Sequence, residues 1–529
     1  MSDLSMTKNK KTIFLYAISK THLRYIDTIE KIQKDVEIVI IYEKISNIVL
    51  ENQKLKKKYK FIKINSDDNI ENIFFKKPFI FFFTTAQLQI NIIKILNYCL
   101  INNIPTIGIQ EGNQIFLQQF TINNYILPLN YLLLSSNYER DGFISMGYNE
   151  KRLKVIGWIN NEKNKNISKI KKNKIVLLSL LAPKQLNTQS IEDDIFRKKM
   201  FKLISHGLPS DYHLYVKPYP AENKIETEYF IKKHFDFKKI IIVDKDADIN
   251  VILKKCDLLL NTGYSQVIFE AVSKQIPFLI INIPGYEKSQ IAKKYKEICV
   301  NSSIELKNKI KNLDNLEFYY KEIKNTHYPF TNKEVSSNFM NLIRTLDLNF
   351  KQEELIRDQI IWCLYINKHN EARKLLNKLK IKENDINQRI LSIVNKNATE
   401  LDYKNIYNFF KSKIIEHAVV ALYINFIIEN NIFPSRSMIQ IFNNFPPKFL
   451  SYSMVTIALN WKTYLLLKKQ YKDYAIYSSI LKPKITKTMK SFGYKKRIFY
   501  SFKFFFPLTY IPYYNLMLFY LQKYLIKNN

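Results

Sequence analysis

The sequence predicts two consecutive doubly wound α/β domains followed by an all-α C-terminal region, and three observations predict it. From residue 12 to about 157, short apolar and β-branched runs alternate with helical stretches. A second alternation of similar size runs from residue 174 to about 302. Beyond residue 350 the β-branched runs stop and apolar positions recur every three or four residues, as in EELIRDQIIWCLYINKHNEARKLLNKLK. Strands alternating with helices build parallel sheets covered on both faces, whereas sustained helical periodicity builds helix on helix.

In the first alternation the strand candidates are TIFLYAI, VEIVIIYE, YKFIKI, PFIFFFTT, IPTIGIQ, YLLLSS and LKVIGW. Several are apolar without interruption, as parallel strands buried on both faces require. The polar, aperiodic stretch NNEKNKNISKIKKNK, residues 160 to 174, reads as an interdomain linker. The second alternation supplies KIVLLSL, YHLYVKP, KKIIIVDK, DLLLNTG, PFLIINI and EICVNS. Residues 1–160, 172–345 and 350–529 are therefore expected to form the three regions, the first two facing each other across a cleft. The third reads as a helical appendage without a fixed repeat period.

The chain has 529 residues, of which 47% are hydrophobic, enough for two to four domains with real cores. Its formal charge of +35 comes with Lys, Asn and Ile abundant throughout, so local charge asymmetry is the better guide to partners. Cys99, Cys256, Cys299 and Cys363 are scattered without CxxC or CxH spacing, which predicts reduced, buried thiols and neither disulfides nor zinc. MSDLSMTKNKK leads into a strand-like run without an apolar signal core, and a cytoplasmic setting is expected.

In a doubly wound sheet ligands gather beyond the carboxyl ends of the strands. Three such ends carry chemistry. The turn NTGYSQ follows strand DLLLN, where Gly263 permits close backbone approach and a helix beginning near Ser265 offers free N–H groups to a phosphate. Glu270 falls about one turn in, where a carboxylate can accept hydrogen bonds from both hydroxyls of a ribose. The competing account is a solvated helix residue behind a Ser265 cap. Lys217 ends YHLYVKP as a point charge suited to phosphate, or is one of many surface lysines. Gln110, Glu111 and Gly112 follow IPTIGI. There Glu111 is placed to take a proton from an acceptor hydroxyl, unless it is a loop residue without a role. Ser135 and Ser136 end YLLLSS, facing the cleft or capping. Asp246 and Asp248, before a short helix, read as caps.

The stretch from Thr262 to Ser265, Phe269-Glu270-Ala271 and Gln275-Ile276-Pro277 resembles the donor domain of GT-B glycosyltransferases, which have two Rossmann-like domains. The resemblance spans roughly residues 12 to 345 in architecture and 244 to 285 in motif. It implies that Glu270 binds the nucleotide ribose and that Gly263, Tyr264 and Ser265 bind phosphate. HLYVKPYP is similar to a strand end in bacterial capsule, sialic-acid, Kdo and teichoic-acid transferases whose histidine contacts a donor phosphate, but Tyr219 stands in its place. Related transferases carry a base followed by glycine where this chain has Glu111 and Gly112, and they use the loop holding Asp246 and Asp248 near the nucleotide base. YLLLSSNYERDGFISMGYNEKRLKVIGW, residues 131 to 158, resembles their segment closing the first domain.

The expected function is inverting, metal-independent transfer of a sugar from a nucleotide-activated donor to a growing surface polysaccharide or glycolipid. A teichoic-type glycerophosphotransferase, a sugar-nucleotide epimerase and a non-catalytic membrane scaffold are the alternatives. No cofactor or metal is expected: GxGxxG and GxxxxGK[ST] are absent, and DKDAD precedes a helix instead of ending an apolar strand. Nucleic acid is not an expected partner. An anionic membrane is, because residues 474 to 529 hold ten Lys or Arg and no Asp or Glu, with many aromatics. Pro507 and Pro512 argue against a span, so peripheral attachment to the inner face of the cell membrane is expected.

Overall fold

The computed structural model describes residues 11–17, 23, 25–30, 36–42, 57–65, 74, 77–84, 92–110, 127–145, 147–159, 173–179, 191–218, 224–235, 239–244, 247–263, 265, 267–283, 289–345, 352–381, 385–411, 413, 415–430, 432, 435, 437 and 438. Glu111, Gly112, Tyr219, Asp246, Tyr264, most of the linker and the basic tail lie outside these residues.

Apolar runs become strands wherever both faces are covered. In the first domain these are β1 (Lys11–Ala17), β2 (Val36–Tyr42), β3 (Lys60–Lys63), β4 (Ile80–Phe83), β5 (Thr106–Ile109), β6 (Tyr131–Leu134) and β7 (Leu153–Val155). They form one sheet in the order β3-β2-β1-β4-β5-β6-β7, with every pairing parallel. The second sheet has the order β10-β9-β8-β11-β12-β13 and is also parallel throughout. Its strands are β8 (Ile175–Ser179), β9 (His213–Lys217), β10 (Ile240–Ile242), β11 (Leu258–Asn261), β12 (Phe278–Ile281) and β13 (Cys299–Val300). In each sheet the winding reverses once, between β1 and β4 and between β8 and β11. Those two switch points are where a doubly wound fold opens its ligand crevices.

The helices used below are α1 (Ile93–Ile101), α2 (Asn137–Ser145), α3 (Val267–Ser273), α4 (Glu317–His327), α5 (Asn332–Thr345), α6 (Glu353–Tyr365), α7 (His369–Leu376), α8 (Ile386–Val394), α9 (Glu400–Phe410) and α10 (Glu416–Glu429). After α4 the chain returns to the first domain. Val335, Phe339 and Ile343 of α5 join the core of Ile13, Leu15, Ile107 and Ile109, and Asn338 donates from Nδ2 to the Ile156 carbonyl at 3.3 Å. Gly157 makes this return possible. It sits at φ +99°, and a Cβ there would lie 2.5 Å from Val335 Cγ2. Tyr328 joins the two domains, its ring 5.1 Å from Trp158 and 4.5 Å from Phe269.

The helical region is not an appendage, which corrects the expectation from sequence. Its residues share one core with the first sheet, running from Phe14, Tyr16, Phe81 and Phe83 through α1 to Leu355, Trp362, Leu375, Ile390 and Ile406. Helix α1, IKILNYCLI, explains why. Its apolar residues spread beyond one face, so the sheet buries one side and α6 and α7 another, while Lys94, Tyr98 and Ile101 are only half-buried. Polar side chains cross this interface as well. Gln359 Nε2 donates to Asn97 Oδ1 at 2.8 Å, and Asn97 Nδ2 donates to Glu371 Oε2 at 2.9 Å. All four cysteines are buried thiols. Among the described residues no helix is long and apolar enough to cross a membrane.

Candidate functional site

The carboxyl edge of the second sheet places the predicted donor residues around its switch point. Register sets Ser179 of β8 beside Lys217 of β9. Leu178 pairs with Leu260, so Asn261 falls on the other side of Ser179. With strands about 4.8 Å apart, Lys217 and Asn261 flank the crevice on the order of 10 Å from each other. Lys217 is buried at the rim.

Beyond β11 the chain turns on Gly263, whose φ is +85°. The Asn261 side chain fixes the turn by accepting the Gly263 N–H at Oδ1, 2.8 Å away. Glycine is required here twice over. The left-handed conformation disfavours any Cβ, and a Cβ would lie 2.1 Å from Ser289 Oγ. Ser289 is itself fixed, accepting the Ala292 N–H at 3.2 Å. Ser265 Oγ accepts the Val267 N–H at 3.3 Å, a capping contact that leaves its own O–H available to donate. Glu270 lies in the first turn of α3 and is only 8% exposed, so it is not a solvated helix residue. Lys274, one turn on, is buried as well.

Asn261 is the residue that sequence reasoning passed over in this turn. Its side chain is fully buried, and with Oδ1 committed to Gly263, Nδ2 makes no hydrogen bond. The NTG triplet held the signal, since an Asn two residues before a left-handed glycine is an Asx turn.

At the carboxyl edge of the first sheet, Gln110 and Ser135 end the adjacent strands β5 and β6. With Gly157 and Trp158 they border a niche of only about 10 Å³, room for a single water. Gln110 is buried, its Oε1 without a hydrogen-bond partner. The serines are engaged as caps. Ser135 donates from its N–H and its hydroxyl to Glu139 Oε2, at 2.9 and 3.0 Å, and Ser136 Oγ accepts the Glu139 N–H at 3.3 Å. Asp248 likewise caps, its Oδ1 accepting the Asn250 N–H at 2.9 Å.

Glu139 is the second residue missed. It is fully buried, its Oε1 is unpaired, and burial raises its carboxyl to about 8 despite the Ser135 donors. The SSNYE stretch reads as a capping box, which hides the burial. Because the folded pKa lies above the ordinary 4.5, stability is intact below about pH 4.5 and declines as pH rises through 8. Glu139→Gln should therefore raise the melting temperature over wild type clearly at pH 9 and little at pH 5. An equal difference at both pH values would show that Glu139 does not titrate in this range.

No protein-family model and no curated protein matches the chain. Among solved structures it is similar to the UDP complex of S. aureus MnaA, at 13% identity and a TM-score of 0.46, covering 63% of this chain and 96% of that one. It is also similar to a putative UDP-N-acetylglucosamine 2-epimerase from Listeria monocytogenes, at 9% identity and a TM-score of 0.45, over 64% of this chain and 96% of that one. A third is the wall teichoic acid polymerase TagF, at 16% identity and a TM-score of 0.42, over 64% and 89%. At these values the likenesses assign no activity, and the fold rests on the strand pairings themselves.

Proposed function

We propose that the chain is an inverting, metal-independent glycosyltransferase that moves a sugar from a nucleotide-activated donor to a growing surface polysaccharide or glycolipid. One observation carries the reading. Lys217 ends β9, Gly263 turns the chain just beyond β11, and Glu270 lies buried in the first turn of the helix that follows, so all three belong to the strands flanking one switch point. A buried lysine neutralises phosphate charge, a glycine turn admits a phosphate against the backbone, and a carboxylate nearby accepts hydrogen bonds from a ribose diol. Asn261 Nδ2, already oriented by its Gly263 contact, adds a donor to the same rim. Tyr264 and Ser265, next in sequence, are assigned to the donor phosphate with Gly263.

The acceptor enters from the first sheet. Glu111, following Gln110, takes the proton from the attacking hydroxyl as its oxygen bonds to the anomeric carbon. The bond from that carbon to the donor phosphate breaks on the opposite face, and the nucleotide leaves carrying the electron pair, its charge met by Lys217. A single displacement of this kind inverts the configuration. Gln110, Gly112 and the serine pair shape the acceptor side. In this reading the basic stretch 474–529 holds the enzyme on an anionic leaflet, and salt-sensitive binding to anionic liposomes checks it.

Glu270→Ala tests the donor site. A lost charge-assisted contact is worth roughly 1.5 to 3 kcal/mol, so nucleotide affinity should fall about tenfold to a hundredfold while the melting temperature of the free protein holds. Unchanged affinity in the folded variant, read by calorimetric titration, removes Glu270 from the site.

A further inference from the structure

A cavity of about 240 Å³ lies where the helical region meets the first domain. Its first-domain wall is made by the segments leading into β6 and β7, Leu127-Pro128 and Gly147 to Arg152. These are the amino ends of the strands, so the cavity sits at the opposite edge of the sheet from Gln110 and Ser135. The far wall is Glu354, Asp358 and Trp362 of α6, with Lys413 and Ile415.

Among the buried polar atoms on its lining, Asp358 Oδ1 makes no hydrogen bond, and the Tyr148 hydroxyl faces the Leu129 N–H, which leaves its own O–H to donate. Tyr148 is 7% exposed, and a buried donor or acceptor left without a partner is costly. The charges around them are already engaged. Arg152 Nη2 pairs with Glu354 Oε2 at 2.9 Å, and its Nη1 lies 3.8 Å from Asp358 Oδ2. Lys413 Nζ sits 4.0 Å from the centre of the Phe409 ring. An anion reaching Arg152 would have to displace Glu354, which already pairs with it. Asp358 Oδ1 calls for an O–H or N–H donor, Tyr148 for an acceptor, and Leu127, Pro128, Trp362 and Ile415 for apolar C–H surface.

We infer that this cavity is a binding site for a single neutral sugar ring, the ligand class that presents several hydroxyls around an apolar face. Its volume fits that class. At about 240 Å³ it lies below the 300 Å³ or more of pockets that take larger ligands. Burial also raises the Asp358 carboxyl to about 7, so near neutrality the same group can accept from or donate to a hydroxyl. The site stands on observations separate from the nucleotide crevice. A glycosyltransferase could use it to hold a residue of the polysaccharide away from the reacting end.

The test is saturation-transfer NMR titration of the full-length protein with free D-glucose, D-galactose and N-acetylglucosamine. At least one should bind wild type and Glu270→Ala alike, and bind about tenfold more weakly to Tyr148→Phe and Asp358→Asn. Tyr148→Phe removes only a hydroxyl and keeps the ring packed edge-on against Phe143, so it remains informative if Asp358→Asn fails to fold. The proposal is overturned if no sugar binds wild type, if Tyr148→Phe binds as wild type does, or if inorganic phosphate binds in a Tyr148-dependent way. It is also overturned if Glu270→Ala abolishes sugar binding, which would place the sugar in the nucleotide crevice. Failure here leaves nucleotide binding, and the reading built on it, untouched.

Discussion

Glu111→Gln should lower turnover by about 10² to 10⁴ while leaving donor affinity nearly unchanged. The amide preserves the shape of the side chain but cannot take a proton, so the loss appears in kcat and not in nucleotide binding. Position supports the assignment. Gln110, which precedes it in sequence, is held at the carboxyl end of β5 by its N–H bond to the Leu133 carbonyl at 3.1 Å. Near wild-type turnover in the variant would move the base elsewhere.

The second large effect concerns the fold. Trp362 is 1% exposed and belongs to the core shared by the first sheet and the helical region. Trp362→Ala should cost roughly 3 to 5 kcal/mol, and the first domain should unfold together with helices α6 to α10 in one step. Denaturant titration followed by circular dichroism measures both. A loss under about 1 kcal/mol, or a helical region that melts alone, would mean that the two pack together only loosely.

The strands were legible because parallel strands buried on both faces leave an unmistakable mark. IFFF in β4, LLLN in β11 and FLII in β12 are each buried along their length, and no amphipathic helix could hide them. Gly263 and Glu270 were legible for a related reason, since a small turn after such a strand and an acid inside an apolar helix both break a local pattern. The docking of the helical region was not legible. It depends on which face of α1 the sheet leaves uncovered, and periodicity within α6 or α7 does not name the partner surface. The burial of Glu139 was hidden by a capping signature that fits an exposed helix start equally well, and only α4 packing against α2 closes the site over it. The cavity against α6 is lined by residues numbered from 127 to 415, brought together by that same docking.

Whether the second sheet binds an activated nucleotide decides the function. Thermal unfolding of the full-length protein with CMP-, UDP-, GDP- and CDP-linked donors measures this directly. Ligand at a hundred times its Kd stabilises by about 2.7 kcal/mol, so one nucleotide class should raise the melting temperature by several degrees. The same donors should leave Glu270→Ala with a smaller shift. No rise with any of the four classes, or equal rises that persist in Glu270→Ala, would contradict a nucleotide site at the β8–β11 switch point.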